Sequence, residues 1–423
     1  MAQFLARQEA FATEISLQRA TMERQQREID EQVQRMIQRE QEADWRHQEA
    51  AVALEAATQL ARANAEAVAQ AMMEAQAKAA GMRDHTSKAD SSTFIYRSGA
   101  LMLIVLIYVD DIIITGSTSA VISDLIGYLR TKFAVKNLGS LHYFLGLQVS
   151  RSAHGMHLSH TKYIRDLLTK TGLLESKPIP TPIALGSLSI HDGDLLPDAT
   201  SYRSIIGALQ FCTFTRPDIS YSVNKLYQFM HSPTTVHLQA AKRVMRYLKG
   251  TPHLGLFIQP DTISQLHCFT DADWASCPDD RRSTSVYCVF LGLNLLSWSS
   301  SKQKVVSRSS TESEYRALAN GASEVSWLET LLTELGFRVS SPSMLHCDNI
   351  STLHLASNPV LHARTKHVEI DCHFVRERVN RGSIRLEFTP SSDQLANCLT
   401  KPLVVSRFHD LRTKLNVLPC PLS

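Results

Sequence analysis

Two adjacent carboxylates, Asp110 and Asp111, lie inside the aliphatic run "LIYVDDIIITG" at residues 106–116. Burying one carboxylate in such a run is costly, and two neighbouring ones repel each other. The pair makes physical sense at the tip of a hairpin whose aliphatic flanks anchor two strands. A rigid pair of hard oxygen ligands then suits Mg2+, an ion matched to phosphate chemistry. A plain turn carrying two solvated aspartates is the competing account. Three more acids punctuate the C-terminal third. Asp271 ends the strand-like "LHCFTDAD", Glu314 opens the amphipathic run "STESEYRALANGASEVSWLETLLTELG", and Asp348 follows the short apolar "MLHC". Each has a local explanation without chemistry. Asp271 suits a turn. Glu314 stands three after Thr311, at capping-box spacing, with Glu312 as an alternative first-turn charge. Asp348, just before Asn349, suits a cap of the next helix.

The elements that must position these acids follow from composition and pattern. The chain has 423 residues, 44% hydrophobic and 20% charged, which is enough for two or three globular domains. A net charge of +3 allows a local basic groove without demanding one. The eight cysteines show no C-x-x-C spacing, which argues against a zinc site or a disulfide framework and for reduced thiols in an intracellular setting. The N-terminus lacks a signal-peptide core. The most apolar stretch, Leu101–Val109, is about half of the roughly 20 residues that span a bilayer, so no membrane segment is expected.

Residues 1–85 are rich in Ala, Gln, Glu and Arg. Ile15, Met22, Ile29 and Met36 recur every seven residues, but the companion row is Gln18, Gln25 and Gln32. A coiled coil for self-association and a solvated single helix both fit. "GMRDHTSKADSS" reads as a linker. From Thr93 the pattern is globular. A hairpin surrounds the paired aspartates, and Ile122, Leu125, Ile126 and Leu129 share one helix face. "LHYFLGLQVSR" and "GMHLSH" suggest a second hairpin. Residues 176–200 read as a loop, and helices follow. Near Leu266 a three-strand meander begins. Leu318, Ala322, Val325, Leu328, Leu332 and Leu335 then form the stripe of a long helix. A helix follows Asp348, "HVEIDCHFVRERV" reads as another, and "SDQLANCLTKPL" as the start of the last.

"YVDDIIITG", "YFLGLQVSR" and "YRSIIGALQFCTFTRPDISYSVNKLYQFMHSPTTVHLQAAKRVMRYLKGT", in this order, resemble the polymerase and ribonuclease H part of copia-type retrotransposon polyproteins. The resemblance runs from about Lys88 to about Leu415. It implies a partial reverse transcriptase (palm hairpin and connection) at 86–258 and a ribonuclease H-like domain at 259–423, which with the unrelated long helical segment at 1–85 make an α/β protein in three parts. It also implies that Asp110 and Asp111 belong to a metal site completed by an aspartate far upstream. The Ala/Gln-rich helix stands there instead, so the polymerase part is expected to be truncated and inactive.

For the C-terminal part, the resemblance implies three antiparallel strands, then alternating helices and strands. Four carboxylates converge on two Mg2+ (or Mn2+) ions, and water attacks phosphorus between them. The four positions correspond to Asp271, Glu314, Asp348 and Asn397. The amide at Asn397 departs from the family and is expected to weaken the second ion. Asp393, four residues earlier, compensates only if the helix start shifts by a turn. Val286 stands where the family usually has glycine. The implied substrate is the RNA strand of an RNA–DNA hybrid, contacted through phosphates and 2′-hydroxyls. Candidate contacts are Arg281, Arg282, Ser283, Lys302, Lys304, Arg308, Arg364, Lys366 and His367, although each alone suits an ordinary solvated surface. His362 and His367 suit proton transfer or a structural role, and Trp274 and Trp298 suit the core. Two functions remain: an attenuated ribonuclease H, or a dead transposon relic that binds nucleic acid or a partner of its helix.

Overall fold

The computed structural model describes residues 83–109, 111–358 and 368–420. The expected coiled coil, Asp110, His362, Arg364, Lys366 and His367 lie outside the described residues. The chain divides into two compact units. The smaller holds the chain up to Asp84 and Tyr96–Val135, and the larger holds His85–Ile95 and Lys136–Ser423.

Four strands, β1 (Arg83–Thr86), β2 (Thr93–Ser98), β3 (Leu101–Tyr108) and β4 (Asp111–Gly116), are hydrogen-bonded in chain order. Alternation along β3 buries Leu103, Val105 and Ile107, the period-two signature of a half-buried strand. β3 and β4 form the expected hairpin, with Tyr108 opposite Asp111. At its tip Val109 adopts φ +53°, a left-handed conformation that costs a β-branched residue energy. Helix α1 (Ser119–Lys132) starts at Thr118, whose hydroxyl accepts the Val121 N–H. Leu125 and Leu129 are its buried positions.

The larger unit continues with β5 (Tyr143–Phe144), β6 (Leu147–Ser152), β7 (Gly155–Ser159), α2 (Thr161–Lys170), α3 (Thr200–Cys212), α4 (Ser220–Tyr227), α5 (Thr235–Gly250) and β8 (Leu254–Ile258). The meander follows as β9 (Gln265–Asp273), β10 (Thr284–Leu291) and β11 (Asn294–Lys302). Next come α6 (Ser310–Glu334), β12 (Ser340–Cys347), α7 (Ile350–Ser357), α8 (Glu369–Asn380) and β13 (Ile384–Phe388). The chain closes with α9 (Asn397–Thr400), α10 (Val405–Lys414) and β14 (Val417–Pro419).

The central sheet has the order β11-β10-β9-β12-β13. β9, β10 and β11 are antiparallel; β12 runs parallel to β9, and β13 parallel to β12. This is the strand sequence that the resemblance implied. Both faces of the sheet are covered. Leu266, Cys268 and Val289 join the stripe of α6 with β12, α7 and α8. Val286, Cys288, Phe290 and Leu295 join a second core made by α2–α5, α9 and α10. Val286 sits in a regular strand with no positive φ, and its side chain is buried there without strain. Gly321 lets α6 lie close on β9: a Cβ there would meet the Thr270 methyl at 2.7 Å and Cys268 Sγ at 2.8 Å.

The boundary expected at 258–259 falls between β8 and β9, inside the larger unit. A second sheet, ordered β14-β8-β7-β6-β5, pairs Val417 with Leu256, so the last described strand closes on β8. The expected last helix is shorter than its pattern suggested. α9 is one turn that ends at Lys401, because Pro402 cannot continue it, and α10 starts afresh.

Candidate active site

Asp271 lies near the C-terminal end of β9, opposite Val286, and is 2% exposed. Burial raises its pKa, and the Lys401 ammonium, 3.8 Å from Oδ2, opposes that rise. Glu314 projects from the first turns of α6 and is 6% exposed. The N-terminus of α6 is served by other groups. The Ser309 hydroxyl accepts the Glu312 N–H at 3.1 Å, and Glu312 accepts the Arg308 N–H at 2.9 Å. The helix start thus does not need Glu314, which faces inward. Burial pushes its pKa up to about 9, with help from the negative charges of Asp271 and Asp348.

Asp348 follows β12 directly. The cap of α7 is Asn349, whose Oδ1 accepts the Thr352 N–H at 3.0 Å, so Asp348 is also released from a capping role. It is half-buried and accepts a hydrogen bond from the Ser391 hydroxyl. Asn397 opens α9 and is 4% exposed. Its amide nitrogen donates to the Ser391 carbonyl at 2.9 Å. Ser391 therefore ties Asn397 to Asp348. Asp393 stays exposed in the turn before α9, which begins at Asn397 with no shifted start.

Three buried oxygens at this site accept no hydrogen bond from the described residues: Asp271 Oδ2, Glu314 Oε2 and Asn397 Oδ1. Glu314, Asp348 and the thiol of Cys347 each offer a ligand atom within 4.8 Å of the other two. Buried oxygen ligands of this type are what a hard divalent cation takes. Lys401, Ser391 and Cys347 were not read as site residues from the sequence. The one available signal was spacing, since Lys401 stands four after Asn397 and just beyond the same helical turn.

The basic candidates divide. Arg281, Lys304 and Arg308 are exposed. Lys302 is engaged, with its ammonium 2.9 Å from Asp280 Oδ2 and 3.1 Å from Cys277 Sγ. Arg282 lies 3.6 Å from the same aspartate oxygen. Ser283 is no phosphate contact, because it is fully buried and its hydroxyl accepts the Ala275 N–H. Trp298 packs against the core, but Trp274 does not. It is 50% exposed and donates its indole N–H to the Ser307 carbonyl at 3.0 Å. Trp274 follows the end of β9, where the chain turns outward instead of continuing the buried strand.

The reverse transcriptase (RNA-dependent DNA polymerase) family profile matches residues 57–185. The chain is 47% identical, over 80% of its length, to the retrovirus-related Pol polyprotein from transposon RE1 of Arabidopsis thaliana, of which it spans 23%. It is 48% identical to an uncharacterized mitochondrial protein of the same plant, over 52% of this chain and 92% of that one. Among solved structures, LC11-RNase H1 in complex with an RNA/DNA hybrid aligns with 32% of this chain and 94% of its own, at 11% identity and a TM-score of 0.26. The match to the Pol polyprotein spans 338 residues, well beyond the profile's 57–185. The chain belongs to the Pol family of copia-type retrotransposons.

Proposed function

We propose that the larger unit hydrolyses the RNA strand of an RNA–DNA hybrid with a divalent cation held by Asp271, Glu314 and Asp348. The observation that carries this reading is the group of three buried oxygens beside Asp348 that accept no hydrogen bond from the described residues. Buried polar atoms are nearly always satisfied, so three together call for a positively charged ligand. Hard oxygens at this site match Mg2+ or Mn2+. When bound, such a cation stabilises charge developing on the phosphate and acidifies water. The chain's own groups do the remaining work. Ser391 orients Asp348, and Asn397 holds Ser391 in place. Glu314 must release its proton before it can act as an anionic ligand. Exposed Arg281, Lys304 and Arg308 serve the phosphate backbone, which positions a duplex without reading its sequence.

A second reading, binding without hydrolysis, is favoured by the neutral amide at Asn397. One experiment separates them: incubation of the full chain with a labelled RNA–DNA hybrid in Mg2+ or Mn2+, beside Asp271→Asn. Cleavage that the variant loses supports hydrolysis. Hybrid retention without cleavage selects the second reading, and neither cleavage nor retention overturns both.

A further inference from the structure

We propose that the Lys401 ammonium takes the place of a second cation, so that this site holds a single divalent ion. The inference rests on the reading above, in which the acids bind a divalent cation. Three observations lead to it. First, the close ligand group of Glu314, Asp348 and the Cys347 thiol does not include Asp271. Glu314 and Asp348 offer oxygens within 4.8 Å of each other. Oδ2 of Asp271, which accepts no hydrogen bond from the described residues, is instead ion-paired with the Lys401 ammonium 3.8 Å away. That spacing exceeds a direct hydrogen bond and leaves the ammonium able to serve both the carboxylate and a phosphate oxygen.

Second, the charges balance with one ion. Asp271, Glu314 and Asp348 bring three negative charges when ionised, Asn397 brings none, and Asp273 has Lys225 beside it to offset its charge. One divalent cation and one ammonium neutralise them, whereas two divalent cations beside the ammonium leave a surplus of two in a largely buried site. Unbalanced buried charge is costly.

Third, Lys401 is built into the site. It follows directly on the turn that begins with Asn397, its backbone is extended at φ −150° and ψ 158°, and Pro402 restricts the next step. Its side chain is 42% exposed, against 4% for that of Asp271, so the aliphatic stem reaches in from the surface. The ammonium also acts on Asp273 at the end of the same strand. Lys401 is thus a positioning residue that holds Asp271 and its side of the site. An ordinary surface ion pair would leave the metal count untouched, and that difference provides the test.

Mn2+ bound to the full chain is counted by electron paramagnetic resonance, taking as background a Glu314→Gln/Asp348→Asn variant. The wild type is expected to bind one ion above background, as is Lys401→Arg. The Asn397→Asp/Lys401→Met variant, which restores the acid and removes the ammonium, is expected to bind two. Both changes are nearly isosteric, and retained binding of the first ion reports that the site has folded. Two ions on the wild type, or one on the double variant, overturns the proposal. No ion above background on any form instead overturns the divalent-cation reading on which it rests.

Discussion

At the scale of single residues, the decisive feature is that the two acids with competing capping roles are relieved of them. Ser309 and Glu312 serve the start of α6, and Asn349 caps α7. The sequence placed Glu314 and Asp348 at element ends, but capping and ligation share those positions, so type and spacing alone left both accounts open. Lys401 offered only its spacing from Asn397, because the approach of its ammonium to Asp271 joins residues far apart in the chain. A pH dependence follows from Glu314. Its pKa rises from an ordinary carboxyl value to about 9 in the fold. The neutral acid therefore favours folding at low pH, and that contribution is lost as pH rises through the folded value. A divalent cation must displace this proton, so Mn2+ affinity is expected to rise about tenfold per pH unit between about pH 6 and 8. Titrations across that range check it, and Glu314→Gln should flatten the slope. A flat profile for the unmodified chain would contradict the geometry described for Glu314.

Elements were the most legible level. Alternation identified β3, and the 3.6-residue stripe of α6 holds to Leu332, which is buried, while Leu335, read as its last member, is the half-buried C-cap. Where pattern failed, local breaks explain the failure. Pro402 truncates the last helix to one turn. The chain leaves β9 at Trp274, which puts that ring at the surface. Close packing of α6 on β9 was not legible either, because a glycine inside a helical pattern reads only as a weak position. Gly321 is expected to be intolerant of bulk. In Gly321→Val the new side chain must displace Thr270 or the helix, at a cost of about 1–3 kcal/mol. Urea unfolding measures this loss. Because Thr270 precedes Asp271, hybrid cleavage should fall further than the stability change alone explains. An unchanged unfolding midpoint would show that the helix stands further from the strand.

At the scale of the whole molecule, the sequence suggested a split near residue 258, yet the hydrophobic core crosses it. Composition marks a domain edge only where few contacts cross, and here Val286, Cys288 and Phe290 pack with α2–α5. Residues 259–423 produced alone would expose that face of the central sheet. The expected result is a poorly soluble or loosely packed product with weak near-ultraviolet circular dichroism. Residues 136–423 should give a cooperative unfolding transition. A well-folded 259–423 fragment would contradict this account of the core.

The pairing of β14 with β8 has a kinetic consequence. Leu256 leaves the ribosome long before Val417, its partner, has been made. Contacts so distant along the chain form slowly, since loop-closure entropy must be overcome first. Between the synthesis of β8 and that of Val417 the β8 edge stands open, and an open edge invites pairing with neighbouring nascent chains. Chaperone demand during synthesis should therefore be set by this late-arriving strand.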